Sequence, residues 1–163
     1  MRSNLATIVY LTTVVVGSTV EASPTAPTPA EVCAKLSDAD VTTVLGKPAK
    51  PQPQDGLNGS GCMWAVGQTM LQVDVETDEL LKAKKRDQPA SRRFGYMVDE
   101  IATKRAEAVK GVGEQAVWAS NILWVLKDKK VFSVSILHVG ESKGRATDLA
   151  LSKAVATKIL AKL

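Results

Sequence analysis

Histidine occurs once in this chain of 163 residues, at position 138, and cysteine twice, at positions 33 and 62. Zinc sites draw three or four ligands from His, Cys and carboxylates, so this composition works against one. No Cys-x-x-Cys pair occurs, which removes the thioredoxin-type redox motif. No Walker A loop and no His-Glu-x-x-His is present, and Gly111-x-Gly113 lacks the third glycine of a dinucleotide fingerprint. A large charge of one sign is also missing. Lys and Arg number 21 against 17 Asp and Glu, a net of +4, too small an excess to imply nucleic-acid binding. Neither glycine (11) nor proline (7) is in excess, and 45% of residues are hydrophobic and 23% charged. These values exclude collagen, a coiled-coil rod and a disordered chain. The length suits one domain of roughly 100–200 residues with a targeting segment.

That segment is at the N-terminus. Arg2 supplies a positive start, Leu5 to Val16 is apolar, and Val20-Glu21-Ala22 fits a cleavage site with small residues at its −3 and −1 positions. Residues 1–22 therefore read as a signal peptide. The 18 uncharged residues between Arg2 and Glu21 sit near the lower limit for a membrane span, about 17–25 residues, so an uncleaved anchor is the alternative. Thr12, Thr13, Gly17, Ser18 and Thr19 dilute the run and favour cleavage. No Cys lies near the cleavage point, so the segment is not a lipobox. Cleavage removes one basic and one acidic residue and leaves the net charge at +4.

An even pair of cysteines in an exported chain suggests one disulfide, Cys33–Cys62. It would close a loop of about 30 residues, worth roughly 3–4 kcal/mol in the chain-entropy model. A redox or metal role for the pair is the alternative.

Residues 23–30, with three prolines among Ser23–Pro29, read as an extended linker, and residues 31–163 as one domain. A helix is expected from Pro29 or Ala30, carrying Val32, Cys33 and Leu36. Ser37 or Asp38 caps a second one ahead of Val41, Val44 and Leu45, which Gly46 and Pro48 end. Lys47 to Gly61 reads as a loop, and its Asn58-Gly59-Ser60 matches a glycosylation sequon by a pattern short enough to arise by chance. Strands are expected over Cys62–Val66 and Thr69–Thr77, the second alternating Leu71, Val73 and Val75 with Gln72, Asp74 and Glu76. Asp78 to Val109 has helical character, interrupted at Pro89, with Phe94, Met97, Val98 and Ile101 on one face. Three strands follow, over 115–119, 122–127 and 131–139, and then a terminal helix from Ser142 to Leu163. Trp64-Ala65 and Trp118-Ala119 recur at an offset of 54 with Gly59 and Gly113 ahead of them, a weak echo compatible with duplication or chance.

Four sets of residues are candidates for function. His138 shares strand parity with Phe132, Val134 and Ile136, so it reads as a histidine packed on a sheet, with a catalytic base as the alternative. Asp74 and Glu76 share a strand face and read as solvent-facing, with cation binding as the alternative. Lys82, Lys84, Lys85, Arg86, Arg92 and Arg93 form the densest basic run. They read as a solvated face or as a patch for an anionic partner such as lipid head groups. Trp64, Trp118 and Trp124 read as core residues, or as a groove that stacks on a sugar or peptide.

Several of these residues recur in a known arrangement: Cys33-x-x-Leu36-Ser37-x-Ala39-x-Val41, Leu45-Gly46-Lys47-Pro48, Gly61-Cys62-x-Trp64, Gly111-Val112-Gly113-Glu114-x-Ala116, and an Ala/Leu-rich terminal helix. This resembles a group of small exported bacterial proteins, many of them lipoproteins, best known from actinobacteria and without an accepted activity. The resemblance spans roughly residues 31–163 and rests most on the Cys-x-x-Leu and Gly-Cys-x-Trp segments. It implies a disulfide between Cys33 and Cys62 and transfers no catalytic residue. The missing lipobox cysteine departs from the lipoprotein members.

The expected architecture is α+β. An antiparallel sheet of four or five strands packs against two main helices, and a disulfide ties the N-terminal helix to the sheet. The expected function is a non-enzymatic binding or interaction module, periplasmic or extracellular, without a cofactor. Its partner would be a protein or an envelope component, with no nucleic acid. Membrane contact is expected only through an uncleaved N-terminus or the basic run. An inhibitor or immunity-type protein acting on an exported enzyme, and a carrier of a small apolar ligand, are the alternatives.

Overall fold

The computed structural model describes residues 26–56, 59–139 and 145–163. The expected signal peptide, Asn58 of the sequon and the first residues of the expected terminal helix lie outside them. Local chemistry sets the N-terminal elements. Helix α1 (Pro29–Cys33) has Pro at its first position and a capping box. In it Glu31 N–H donates to the Thr28 side chain, and the Glu31 carboxylate accepts from Thr28 N–H. Helix α2 (Asp38–Leu45) repeats the device with Ser37 and Asp40 and ends at Gly46, whose φ of 76° is the left-handed cap that glycine adopts without strain.

The strands are β1 (Gln52–Asp55), β2 (Ser60–Val66), β3 (Thr69–Glu76), β4 (Ala106–Ala108), β5 (Gln115–Ala119), β6 (Ile122–Lys127) and β7 (Lys130–His138). They form one seven-stranded sheet in the order β1-β2-β3-β7-β6-β5-β4, with every pair antiparallel. The fold class is α+β as expected, but the sheet has more than the four or five strands expected. The added strands are both edges. Gln52-Pro53-Gln54-Asp55 has no apolar alternation and reads as loop. It pairs with β2 at the sheet margin, the place where a strand tolerates proline. Ala106-Glu107-Ala108 continues a helical composition, yet it pairs with β5. The span read as helical from Asp78 to Val109 is thus α3 (Asp78–Ala83), α4 (Ala90–Ala102) and β4.

Two meanders, β1-β2-β3 and β4-β5-β6, flank the central strand β7. One face of the sheet is covered from β1 across to β6 by α1, α2 and the terminal helix α5 (Arg145–Leu160). Cys62, Trp64, Leu71, Val73, Val75, Trp118, Leu123, Val125, Phe132, Val134 and Ile136 fill this main core with Val32, Val41, Val155, Ala156 and Ile159. On the other face α4 lies over β4 to β7. Its Phe94, Met97, Val98 and Ile101, spaced at i, i+3, i+4 and i+7, meet Ala106, Val117, Ala119, Trp124, Leu126 and Val131. Over β2 and β3 that face carries Met63, Ala65, Met70, Gln72 and Asp74, all partly exposed.

The two-residue hairpin turns follow the strand twist. Ser120 and Asn121 (φ 51° and 60°) join β5 to β6, and Asp128 and Lys129 (47° and 61°) join β6 to β7. Positive φ at both central residues is the primed turn that a right-twisted hairpin favours. The Gly111-to-Glu114 segment feeds this arrangement. Val112 is buried in the main core, and Gly113 (φ 60°) packs where a Cβ would collide with Val125 and the Leu126 carbonyl. Glu114 accepts from Lys127 Nζ and Asp128 N–H, which holds the second turn. Among the described residues no helix is long and apolar enough to cross a membrane.

Candidate functional site

Cys33 and Cys62 form the expected disulfide, with their Cα atoms 5.0 Å apart at a sequence separation of 29. It fastens the end of α1 to β2 on the main-core face. This bond has a spatial consequence: it holds α1 against one end of the sheet, where four separate segments meet around a cavity of about 320 Å³. Pro27 leads into the site, α1 supplies Val32, and Lys35 follows it. Strand β3 supplies Val75, and its exit into α3 supplies Thr77, Asp78 and Glu79. The β6–β7 turn gives Asp128, Lys129 and Lys130, and Leu163 comes from beyond α5. Val32 and Val75 belong to the main core, so the cavity has an apolar floor.

The rim is polar and organised by the local structure. Thr77 caps α3, its hydroxyl accepting from Leu80 N–H at 3.2 Å. The Asp78 carboxylate accepts the Ala90 N–H at 2.8 Å and so tethers the start of α4. Glu79 is held below its ordinary carboxylate value by hydrogen bonds from its own N–H and the Thr77 hydroxyl. Lys35 donates to the Lys162 carbonyl at 2.5 Å, joining α1 to the chain after α5.

The other sequence candidates are dispersed. Trp64 and Trp118 are buried in the main core, whereas Trp124 lies on the opposite face under α4, so the three do not line one groove. Within the basic run, Lys84 binds Asp55 and the Gly56 carbonyl, and Arg93 grips Glu76 through Nε at 2.7 Å and Nη2 at 3.4 Å. Arg92 hydrogen-bonds Tyr96. Lys82, Lys85 and Arg86 make no side-chain hydrogen bond or ion pair among the described residues, and Lys85 and Arg86 border a shallow polar hollow with Asp87, Gln88 and Arg93.

Of the two carboxylates read as solvent-facing, Asp74 is partly exposed and Glu76 is buried. Glu76 is only 6% exposed and salt-bridged to Arg93. Asp74 is largely covered, and burial pushes its carboxyl above the ordinary value, partly offset by the Gln72 amide. Strand alternation correctly placed both on the face away from the main core. It could not show that the α3–α4 segment brings Arg93 over that face.

His138 packs on the sheet, as expected. Its Nδ1 is 3.2 Å from Thr69 Oγ1 and its Nε2 3.2 Å from Asp148 Oδ1. The His138 and Asp148 side chains are 7% and 8% exposed, and the chain of contacts ties β3, β7 and α5 together. Gly140-Glu141-Ser142-Lys143-Gly144, between β7 and α5, spells Gly-x-Ser-x-Gly. Its residues lie outside the described ones. The nucleophile elbow of that spelling belongs to the sheets of α/β-hydrolases, whereas β7 is the centre of a wholly antiparallel sheet. Among the described residues no group of three or more His, Cys, Asp or Glu is placed to hold a metal ion.

The cavity residues were not legible as a set, because they come from segments far apart in the chain and none is unusual where it stands. The one available signal was the expected disulfide, which brings the Val32 segment to the sheet. Comparison of the chain with protein-family models, curated proteins and solved structures finds no match.

Proposed function

We propose that this chain is an exported, non-enzymatic binding module whose ligand site is the cavity at the α1 end of the sheet. The observation that carries the reading is that cavity, about 320 Å³, with an apolar floor and a rim of charged groups. Small-molecule sites are concave, mostly apolar and fitted with a few polar groups that set orientation, with volumes of about 300–1,000 Å³. The disulfide supports both halves of the proposal. Such bonds persist in oxidising compartments, and this one stiffens a wall of the site.

His138 supports the non-enzymatic part. The His138 and Asp148 side chains are buried, and neither lines the cavity. Export through residues 1–22 belongs to the same proposal.

Native mass spectrometry of the protein from its exported fraction tests the reading. The expected result is a mass beginning at Ser23 with an added species on the order of a few hundred daltons, the size such sites hold. A protein-sized adduct would instead favour the inhibitor reading. A bare chain that takes up no small amphiphile when challenged would end the ligand-site reading.

A further inference from the structure

The rim of the cavity carries three acids and three lysines. Asp78 accepts the Ala90 N–H, and Asp128 lies 3.3 Å from Lys127 Nζ. Among the lysines, Lys130 has Glu79 as its electrostatic neighbour. Lys35 donates to the Lys162 carbonyl, a neutral acceptor. Glu31, the electrostatic neighbour of Lys35, also accepts from the Thr28 N–H and hydroxyl at 2.7 and 2.9 Å. Lys129 makes no hydrogen bond or ion pair among the described residues. Two lysines of the rim, Lys35 at the end of α1 and Lys129 in the β6–β7 turn, thus have no carboxylate in hydrogen-bond or ion-pair contact among the described residues.

Resting on the ligand-site reading above, we propose that the cavity binds a small monocarboxylate amphiphile. Its apolar body lies against Val32, Val75, Pro27 and Leu163, and its carboxylate lies between Lys35 and Lys129. A lysine keeps its charged end in water while its stem covers apolar surface, which suits a head group held at a rim. The volume, about 320 Å³, is at the low end of the roughly 300–1,000 Å³ typical of small-molecule sites. It admits one short chain or ring system and excludes a two-chain lipid.

The test is calorimetric titration of the oxidised protein with decanoate and with decanol, each below its aggregation limit. Decanoate is expected to bind about tenfold more tightly, the equivalent of ~1.4 kcal/mol. A Lys35→Gln/Lys129→Asn double variant should lose that advantage and leave decanol unchanged. Asn is chosen because position 129 sits at φ 61°, a conformation Asn tolerates. Leu163→Trp, at a partly exposed rim position, should weaken both ligands by filling the space. Decanol binding as well as decanoate, or the double variant binding decanoate unchanged, overturns the head-group inference while the site itself stands. Failure of both ligands to bind overturns the inference and the ligand site together.

Discussion

The two meanders use the same local construction and end in different surroundings. β2 and β5 each place a tryptophan, Trp64 or Trp118, on the main-core face, paired across the hairpin with Leu71 or Leu123. On the opposite face they diverge. β5 and β6 present Val117, Ala119, Trp124 and Leu126 to α4, whereas β2 and β3 present Met63, Met70, Gln72 and Asp74 with no helix over them. Strands buried on both faces read as near-continuous apolar runs, and strands covered on one face alternate. The 54-residue echo therefore marks equivalent places in two hairpins, and the residues that break the echo report what lies above each one.

One substitution made twice should break the comparison most clearly. Val117→Lys buries a charge under α4 and is expected to cost about 4 kcal/mol or to prevent folding. Met63→Lys, at the matching position of the other meander, should stay within about 0.5 kcal/mol on a partly exposed face. Urea denaturation of the two variants measures the contrast, and equal losses would show that the β2–β3 face is covered after all.

The next largest effect concerns the staple of the first meander. Cys33→Ser/Cys62→Ser should lower stability by about 3 kcal/mol with little change in the far-ultraviolet circular dichroism, because the disulfide acts mainly on the unfolded chain. The second meander has no counterpart, so hydrogen exchange in the variant should rise in α1 and β2 and remain unchanged in β5.

Glu76→Gln removes the buried partner of Arg93. With Arg93 about a third exposed, the expected loss is about 1–2 kcal/mol, below that of a fully buried pair. Thermal unfolding with and without high salt checks it, and the difference from wild type should persist in salt because Glu76 is shielded.

Asp74→Asn should have the smallest effect and the opposite sign. Burial raises the folded pKa of Asp74, so the folded state holds its proton more tightly than the unfolded chain does. Ionisation of this group therefore removes stability as pH rises from the ordinary carboxylate value through the raised one, and below both values it contributes nothing. The Asn variant should be slightly more stable than wild type at neutral pH and equal to it in acid. A fixed advantage at every pH would point to packing instead of charge.

Much of the fold was legible because its signals are local. Thr28, Ser37 and Gly46 act on neighbouring residues, and Phe94, Met97, Val98 and Ile101 announce a helix with one apolar face. The hairpin from 122 to 138 was legible for the same reason. β1 and β4 were not, since an edge strand is stabilised by the partner it pairs with and not by its own composition. The candidate site was legible only at its hinge. Cysteine count and the resemblance pointed to Cys33–Cys62, but nothing near Lys129 or Val75 in sequence indicates that they share a cavity.

Periodicity, capping residues and an even cysteine count were enough to determine the α+β class, most element boundaries and the single disulfide. Tertiary structure decided which sheet face α4 would cover, that Glu76 and Arg93 would meet, that His138 would span Thr69 and Asp148, and that Pro27, Val32, Val75, Lys129 and Leu163 would enclose a space. The physical reason is range. Hydrogen bonds within a turn and side-chain periodicity are set over a few residues, whereas burial, ion pairing and cavities depend on which distant surfaces the closed sheet brings together.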